Sequence, residues 1–196
     1  PSECGEMKEE DIRWLKKASA EEKAVAVGEI GLDYYWDEPD RKIQKKCFSR
    51  QIDMAAEVKL PVIIHSRDAA QDTLDMMKAQ HAGDIGGVIH CFSYGKEMAR
   101  EYLNMGFFLG IGGVVTFENG KKLKEVVEYA PLSSFVLETD CPYLSPVPLR
   151  GKRNSSRNLP YVVEMISQIK GVDRETVERE TWENALRLYR LSGKEL

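Results

Sequence analysis

The sequence has no apolar run near the ~20 residues that a membrane-crossing helix needs, and its opening residues lack the pattern of a secretory signal. A soluble, cytoplasmic protein with no membrane partner is expected. Cysteine is scarce, and Cys4, Cys47, Cys91 and Cys141 show no C-x-x-C spacing. Free thiols in a reducing compartment fit them better than a disulfide framework. Excess positive charge is missing too. Lys and Arg number 28 against 32 Asp and Glu, for a net charge of −4. No global basic field therefore draws in nucleic acid, and any polyanion must be met locally or through a metal. Finally, no G-x-G-x-x-G, phosphate loop, G-x-S-x-G elbow, internal repeat or low-complexity tract is present. Dinucleotide binding and serine-nucleophile chemistry lose their usual signatures, although Ser66 and Ser93 lie beside histidines.

The chain itself has 196 residues, 42% hydrophobic and 31% charged, long enough for one globular domain over 1–196. Its most informative stretch is Val25-Ala-Val-Gly-Glu-Ile-Gly-Leu-Asp-Tyr-Tyr35. A short apolar run meets an acid, Glu29, and passes into a glycine-punctuated turn, as a buried parallel strand delivering a carboxylate would. Three later stretches repeat the design: Pro61-Val-Ile-Ile-His65, Gly87-Val-Ile-His90 and Phe135-Val-Leu-Glu-Thr-Asp140. A fifth apolar run, Phe107 to Gly113, ends in glycines.

Between these runs the spacing predicts helices over about 8–18, 40–58, 68–80, 97–104 and 121–129, with two more over 160–170 and 173–190. In the second of these, Ile43, Cys47, Phe48, Ile52, Ala55 and Ala56 form the apolar set. The expected fold is α/β. Strand ends recur every ~28 residues, close to the ~31 of a (β/α)8 barrel. A doubly wound open sheet shows the same alternation. However, ligand-type residues close nearly every strand rather than one switch point, which favours a TIM-type barrel, of which five strands are read here; the family resemblance given below implies that they are about its last five.

Barrel enzymes carry their chemistry at the carboxyl ends of the strands. Glu29, His65, His90 and Asp140 are therefore the candidate metal ligands, with Glu29 suited to bridge two ions. Two imidazoles with two carboxylates suit Zn²⁺, Mn²⁺ or Fe²⁺ better than Mg²⁺, which prefers oxygen donors. Such a centre activates water and polarises a phosphoryl or carbonyl oxygen, with Asp140 as ligand and proton acceptor. Taken singly, a histidine closing a strand is more often structural, and Glu29 alone reads as a cap. The four together carry the argument. His81 reads as a surface residue, and Cys91 and Cys141 as packing residues facing away from their ligand-type neighbours.

Gly28-Glu-Ile-Gly-Leu-Asp33, Ile64-His-Ser-Arg-Asp-Ala69, His90-Cys-Phe-Ser93 and Glu138-Thr-Asp-Cys-Pro-Tyr-Leu144 resemble motifs of the TatD family of metal-dependent deoxyribonucleases. Arg150-Gly-Lys-Arg-Asn154 and Thr181-Trp-Glu-Asn-Ala185 match as well. The resemblance covers nearly the whole chain. It implies an amidohydrolase-type TIM barrel that hydrolyses DNA phosphodiesters, by exonuclease action, with two divalent ions (Mg²⁺, Mn²⁺ or Zn²⁺) per complete site. By position, Glu29 matches the ligand shared between the metals, His65 and His90 those of one metal, and Asp140 that of the other, beside the attacking water.

The family's first strand carries a His-x-His pair that this sequence lacks. Pro1-Ser-Glu-Cys4 resembles the residues just after a Gly-x-His-Pro motif that closes the family's third strand. The expectation is a C-terminal portion of the barrel, from an incomplete chain rather than a half-barrel closing by self-association.

For substrate, Arg67 could fork onto a phosphate or pair with a local acid such as Asp68. Arg150, Lys152, Arg153 and Arg157 form the one concentrated basic stretch. A solvated loop is its plain reading, and the resemblance places it, Arg153 in particular, against backbone phosphates. Tyr34, Tyr35 and Trp36 stack on a base or pack the rim, and Asn154 holds its loop.

The leading reading is a divalent-metal-dependent DNA phosphodiesterase using metal-activated water. One alternative is an amidohydrolase acting on a small-molecule C–N or ester bond, disfavoured because no lysine for carboxylation stands at the Glu29 position. The other is a catalytically incomplete fragment or metal-free binding module.

Overall fold

The strand–helix alternation expected from the sequence runs through the computed structural model, which describes residues 1–36, 38–191 and 193. These divide into two compact units, Pro1–Ile89 with Met105–Phe107, and His90–Asn104 with Phe108–Leu196.

The first unit holds strands β1 (Val27–Asp33), β2 (Val62–Arg67) and β3 (Gly87–Ile89), with helices α1 (Glu9–Ala18), α2 (Arg41–Val58) and α3 (Ala70–Ala79). The strands pair in parallel, β1 on β2 and β2 on β3. Local chemistry sets the helix starts. Asp11 accepts the Lys8 backbone N–H at 2.7 Å and opens α1, while Asp40 accepts that of Lys42 at 2.8 Å and opens α2. The core gathers Leu32, Phe48, Ile52, Met54, Ile64 and Met77, all essentially without solvent contact.

Two features of this unit depart from expectation. Ile43 and Ala56 are exposed, because the face of α2 that packs on β1 takes Gln44 and Met54 instead. Gln44 can be buried because its amide is fully used: Oε1 accepts from the Asp33 N–H at 2.8 Å, and Nε2 donates to the carbonyls of Asp33 at 2.8 Å and Pro39 at 2.9 Å. Nor does Glu29 end its strand. The strand runs on to Asp33, and His65 likewise lies inside β2.

The second unit holds α4 (Lys96–Asn104), β4 (Phe108–Ile111), α5 (Lys121–Tyr129), β5 (Phe135–Leu137), α6 (Leu159–Lys170) and α7 (Arg174–Leu188). Strands β4 and β5 pair in parallel, with Leu109 opposite Phe135 and Ile111 opposite Leu137. The glycine-ended run after β4 is not strand to its end, because Gly113–Thr116 forms a 3-10 turn. Tyr102, Leu109, Ile111, Val126, Phe135 and Ile166 are buried. No helix among the described residues is long and apolar enough to cross a membrane, and the four cysteines are free thiols.

Asn184, on α7, explains part of the Thr181–Ala185 motif. Its buried amide donates to the carbonyls of Leu132 at 2.9 Å and Phe135 at 2.7 Å, and its Oδ1 accepts from Arg187. The helix is thereby locked to the entry of β5. Asn184→Ala would leave both carbonyls short of a donor and is expected to cost about 2–4 kcal/mol, read as a lower urea midpoint with the slope unchanged.

Candidate metal centre

In the first unit the site begins with a register. Val27 pairs with Val62 but Ile30 pairs with Ile64, so β1 carries one extra residue at Gly28-Glu29, a β-bulge. Beyond it Gly31 stands opposite His65. Side chains alternate along a strand, so Glu29, Gly31 and Asp33 share one face. Gly31 itself has φ +138°, and a Cβ there would come within 2.0 Å of the His65 carbonyl oxygen. Only glycine allows this approach.

The two carboxylates therefore flank one imidazole. His65 Nε2 lies 3.0 Å from Asp33 Oδ2, and His65 Nδ1 lies 3.6 Å from Glu29 Oε2. With Nε2 donating to Asp33, Nδ1 keeps its lone pair on the Glu29 side.

The second unit repeats the motif with other atoms. His90 follows β3 directly, and Asp140 lies three residues beyond β5. His90 Nδ1 donates to Glu138 Oε2 at 2.8 Å, while Nε2 faces Asp140 Oδ1 at 3.5 Å. Asp140 adopts φ +52°, a left-handed conformation that aspartate tolerates better than most residues. The turn is tied by the Tyr143 N–H to the Asp140 carbonyl at 2.9 Å and by the Cys141 N–H to Thr139 Oγ1 at 3.2 Å.

Solvent access separates the acids into two kinds. Asp33 and Glu138 keep only 15% and 16% of their side-chain surface, whereas Glu29 and Asp140 keep 43% and 37%. The sheltered pair braces the rings, and the open pair faces outward. Glu138 Oε1 is buried with no hydrogen-bond partner among the described residues.

The donor chemistry suits a divalent ion. Nitrogen and oxygen ligands at ~2.1 Å in tetrahedral array stand about 3.4 Å apart. The two open imidazole–carboxylate separations lie close to that spacing and beyond hydrogen-bond length. An imidazole anchored through its other nitrogen by a carboxylate is the usual support of a metal-binding histidine. Among the described residues, no three or more His, Cys, Asp and Glu side chains form a group that could hold an ion by itself. The donors come as pairs.

Of the residues expected from sequence, Glu29 meets His65 and His90 meets Asp140. Arg67 is exposed and stacks on the Tyr35 ring, 3.7 Å from its centroid. No ion pair between Arg67 and Asp68 is formed among the described residues. Arg153 is exposed in the loop after Asp140. Tyr34 is engaged, donating to Asp72 Oδ2 at 2.6 Å with Arg41 over its ring. Burial, then the Asp72 carboxylate, pushes its hydroxyl well above the ordinary tyrosine range, so it stays protonated. Tyr35 and Trp36 remain exposed, packed edge-on at 4.8 Å. Asn154 does hold its loop. It is buried, with Nδ2 donating to the Thr139 carbonyl at 2.7 Å and its N–H to that of Pro142 at 2.9 Å. His81 is exposed as expected. Cys141 is exposed rather than packed, because β5 has ended before it and strand alternation no longer applies.

The sequence reading missed the two braces. A signal existed for the first, since Asp33 lies four residues after Glu29, an even spacing that shares a face in a strand; Glu138 and Asp140 lie past the end of β5, where alternation gives no such signal.

An α/β chain of parallel strands presenting paired imidazole and carboxylate donors fits the class of metal-dependent hydrolases, to which its relatives belong. The model of the family described as TatD related DNase matches residues 1–190, and the chain belongs to that family. The Bacillus subtilis uncharacterized metal-dependent hydrolase YabD is 48% identical over 192 residues, spanning 98% of this chain and 75% of that protein. The 3'-5' ssDNA/RNA exonuclease TatD of Erwinia billingiae is 33% identical over 196 residues, 97% of this chain and 75% of its own. The crystal structure of YJJV, a TatD homologue from Escherichia coli, superposes with a TM-score of 0.89 at 27% identity, covering 96% of this chain and 73% of that one. The TIM-barrel class expected from the sequence is thereby borne out.

Replacing a brace should weaken metal binding without removing a ligand. Asp33→Asn and Glu138→Gln are each expected to lower affinity for Mn²⁺ or Zn²⁺ about 10- to 100-fold, measured by calorimetric titration, with the far-ultraviolet circular dichroism unchanged.

Proposed function

We propose that this chain is a divalent-metal-dependent nuclease that hydrolyses phosphodiester bonds of DNA from a strand end. The observation that carries the reading is the pair of braced imidazoles, each with an open carboxylate at 3.5–3.6 Å. In this reading Glu29 and His65, and His90 and Asp140, supply ligands for Mg²⁺, Mn²⁺ or Zn²⁺. When bound, the metal supplies Lewis-acid polarisation of the phosphoryl oxygen and activation of water.

The chain's own residues do the rest. Asp33 and Glu138 fix the orientation of the two rings, each from one ring nitrogen. Asp140, open to solvent, is placed to take the proton of the attacking water, and Glu29 is the matching open carboxylate of the first unit. Arg67 and Arg153, both exposed, are the cations assigned to the phosphates. The stacking of Arg67 on Tyr35 fixes the plane of its guanidinium and leaves its edge for an anion. The exonuclease named in Erwinia billingiae supports the substrate class, being a relative that shares a third of its residues over nearly the whole of this chain.

The test is hydrolysis of end-labelled single-stranded DNA with Mg²⁺, with Mn²⁺ and with EDTA. Stepwise shortening from one end is expected, falling at least ~100-fold in EDTA and in Asp140→Asn, the loss typical when a positioned proton acceptor is removed. A chain that leaves the DNA intact with metal, yet cleaves a member of a panel of amides and esters, would replace this reading with that of a small-molecule amidohydrolase.

A further inference from the structure

Cys4 anchors an exposed segment of the first unit. It opens the 3-10 turn Cys4–Glu6 and is the buried residue of that turn, while Ser2, Glu3, Gly5 and Glu6 around it face solvent. The turn packs on α2, and there Cys4 meets Cys47, which is buried as well. The Cys47 thiol donates to the Cys4 carbonyl oxygen at 3.0 Å, and the two thiols are within hydrogen-bonding reach of each other. A buried free cysteine is ordinarily a small apolar filler. Two that stand 43 positions apart and cover one another are also a dithiol.

The reduced pair is guarded. Burial, then the Cys47 thiol beside it, pushes the Cys4 thiol up to about 11, so at neutral pH it stays protonated and reacts slowly. The guard is only as firm as the turn. That turn has no side-chain cap, and its backbone hydrogen bonds are 3.1 to 3.3 Å long. A short exposed turn opens more readily than the core, and each opening brings both sulfurs to a reagent.

We infer that Cys4 and Cys47 are a redox-modifiable pair, which a small-molecule disulfide of the glutathione kind converts into an intramolecular disulfide that fastens the Cys4 turn to α2. One protein thiolate attacks a sulfur of the reagent and displaces one reagent thiolate. The other then attacks the mixed disulfide and displaces the second. One S–S bond breaks and one forms, the two protein sulfurs are oxidised, and the reagent is reduced to two thiols that take up the protons. The new bond closes a loop that contains all of β1, with Glu29 and Asp33, and the Gln44 that holds Asp33. It therefore restrains the unfolded chain over the segment that supplies both acids of the first imidazole. Cys141 is exposed and belongs to the second unit, so it takes the same reagent as a simple mixed disulfide.

The test is independent of any nuclease activity. The whole chain would be equilibrated in glutathione buffers of graded oxidised-to-reduced ratio, quenched in acid, alkylated and mapped by non-reducing mass spectrometry. A peptide pair joined through Cys4 and Cys47, two hydrogens lighter than the reduced pair and restored by dithiothreitol, is expected. The same equilibrium in urea measures what the fold contributes, and the native chain should favour the bond about 100-fold more than the unfolded one. By the same linkage the oxidised chain should melt about 5–10 °C higher than the reduced chain. Cys141→Ser should leave the bond and the shift intact, and Cys47→Ala should abolish both. The inference is overturned if Cys4 and Cys47 remain alkylatable in buffers that fully modify Cys141, or if either joins a different cysteine. It is equally overturned if the native chain favours the bond no more than the unfolded one. These readings come from the unsubstituted protein, so they decide the matter even if Cys47→Ala fails to fold.

Discussion

The close approach of β1 and β2 at Gly31 and His65 is the constraint on which the first unit's chemistry depends. Parallel pairing brings the two backbones together, and the missing side chain at Gly31 lets the His65 carbonyl occupy space that a Cβ would claim. The bulge at Gly28-Glu29 restores register after one extra residue. Together they put a carboxylate on each side of one imidazole. Asp33 is in turn held by Gln44, which takes both its N–H and its carbonyl. The chain of dependence thus runs from a buried helix amide, through a brace, to a ring, and only then to the carboxylate on the ring's other side.

The second unit reaches the same arrangement by another route. Here His90 comes directly after β3, and Asp140 lies in the turn beyond β5. His90 is braced through Nδ1 rather than Nε2, and Asp140 reaches it from a left-handed residue rather than from a strand. The same chemical result from two local geometries argues that the braced imidazole with an open acid beside it is what matters. Asp33 and Glu138 are the sheltered acids and Glu29 and Asp140 the solvent-exposed ones in both arrangements.

The loop after Asp140 carries Arg150, Lys152 and Arg153 on a frame fixed by Asn154 and by the Arg150–Phe117 stack, a local concentration of positive charge on a chain of net charge −4.

Sequence by itself determined the alternation of elements and the fold class, because hydrophobic period, caps and strand spacing are local properties written residue by residue. It also picked out Glu29, His65, His90 and Asp140, since ligand-type residues closing apolar runs are conspicuous in one dimension. Tertiary structure alone decided that Glu29 and His65 lie within their strands, that Asp33 and Glu138 are the braces, and which ring nitrogen each brace takes. Those outcomes turn on register, on a bulge and on a left-handed turn. A shift of one residue reverses which side chains share a face, and no local pattern encodes it. The exposure of Ile43, Ala56 and Cys141 obeys the same rule, because periodicity gives a face but only packing shows which part of that face is covered.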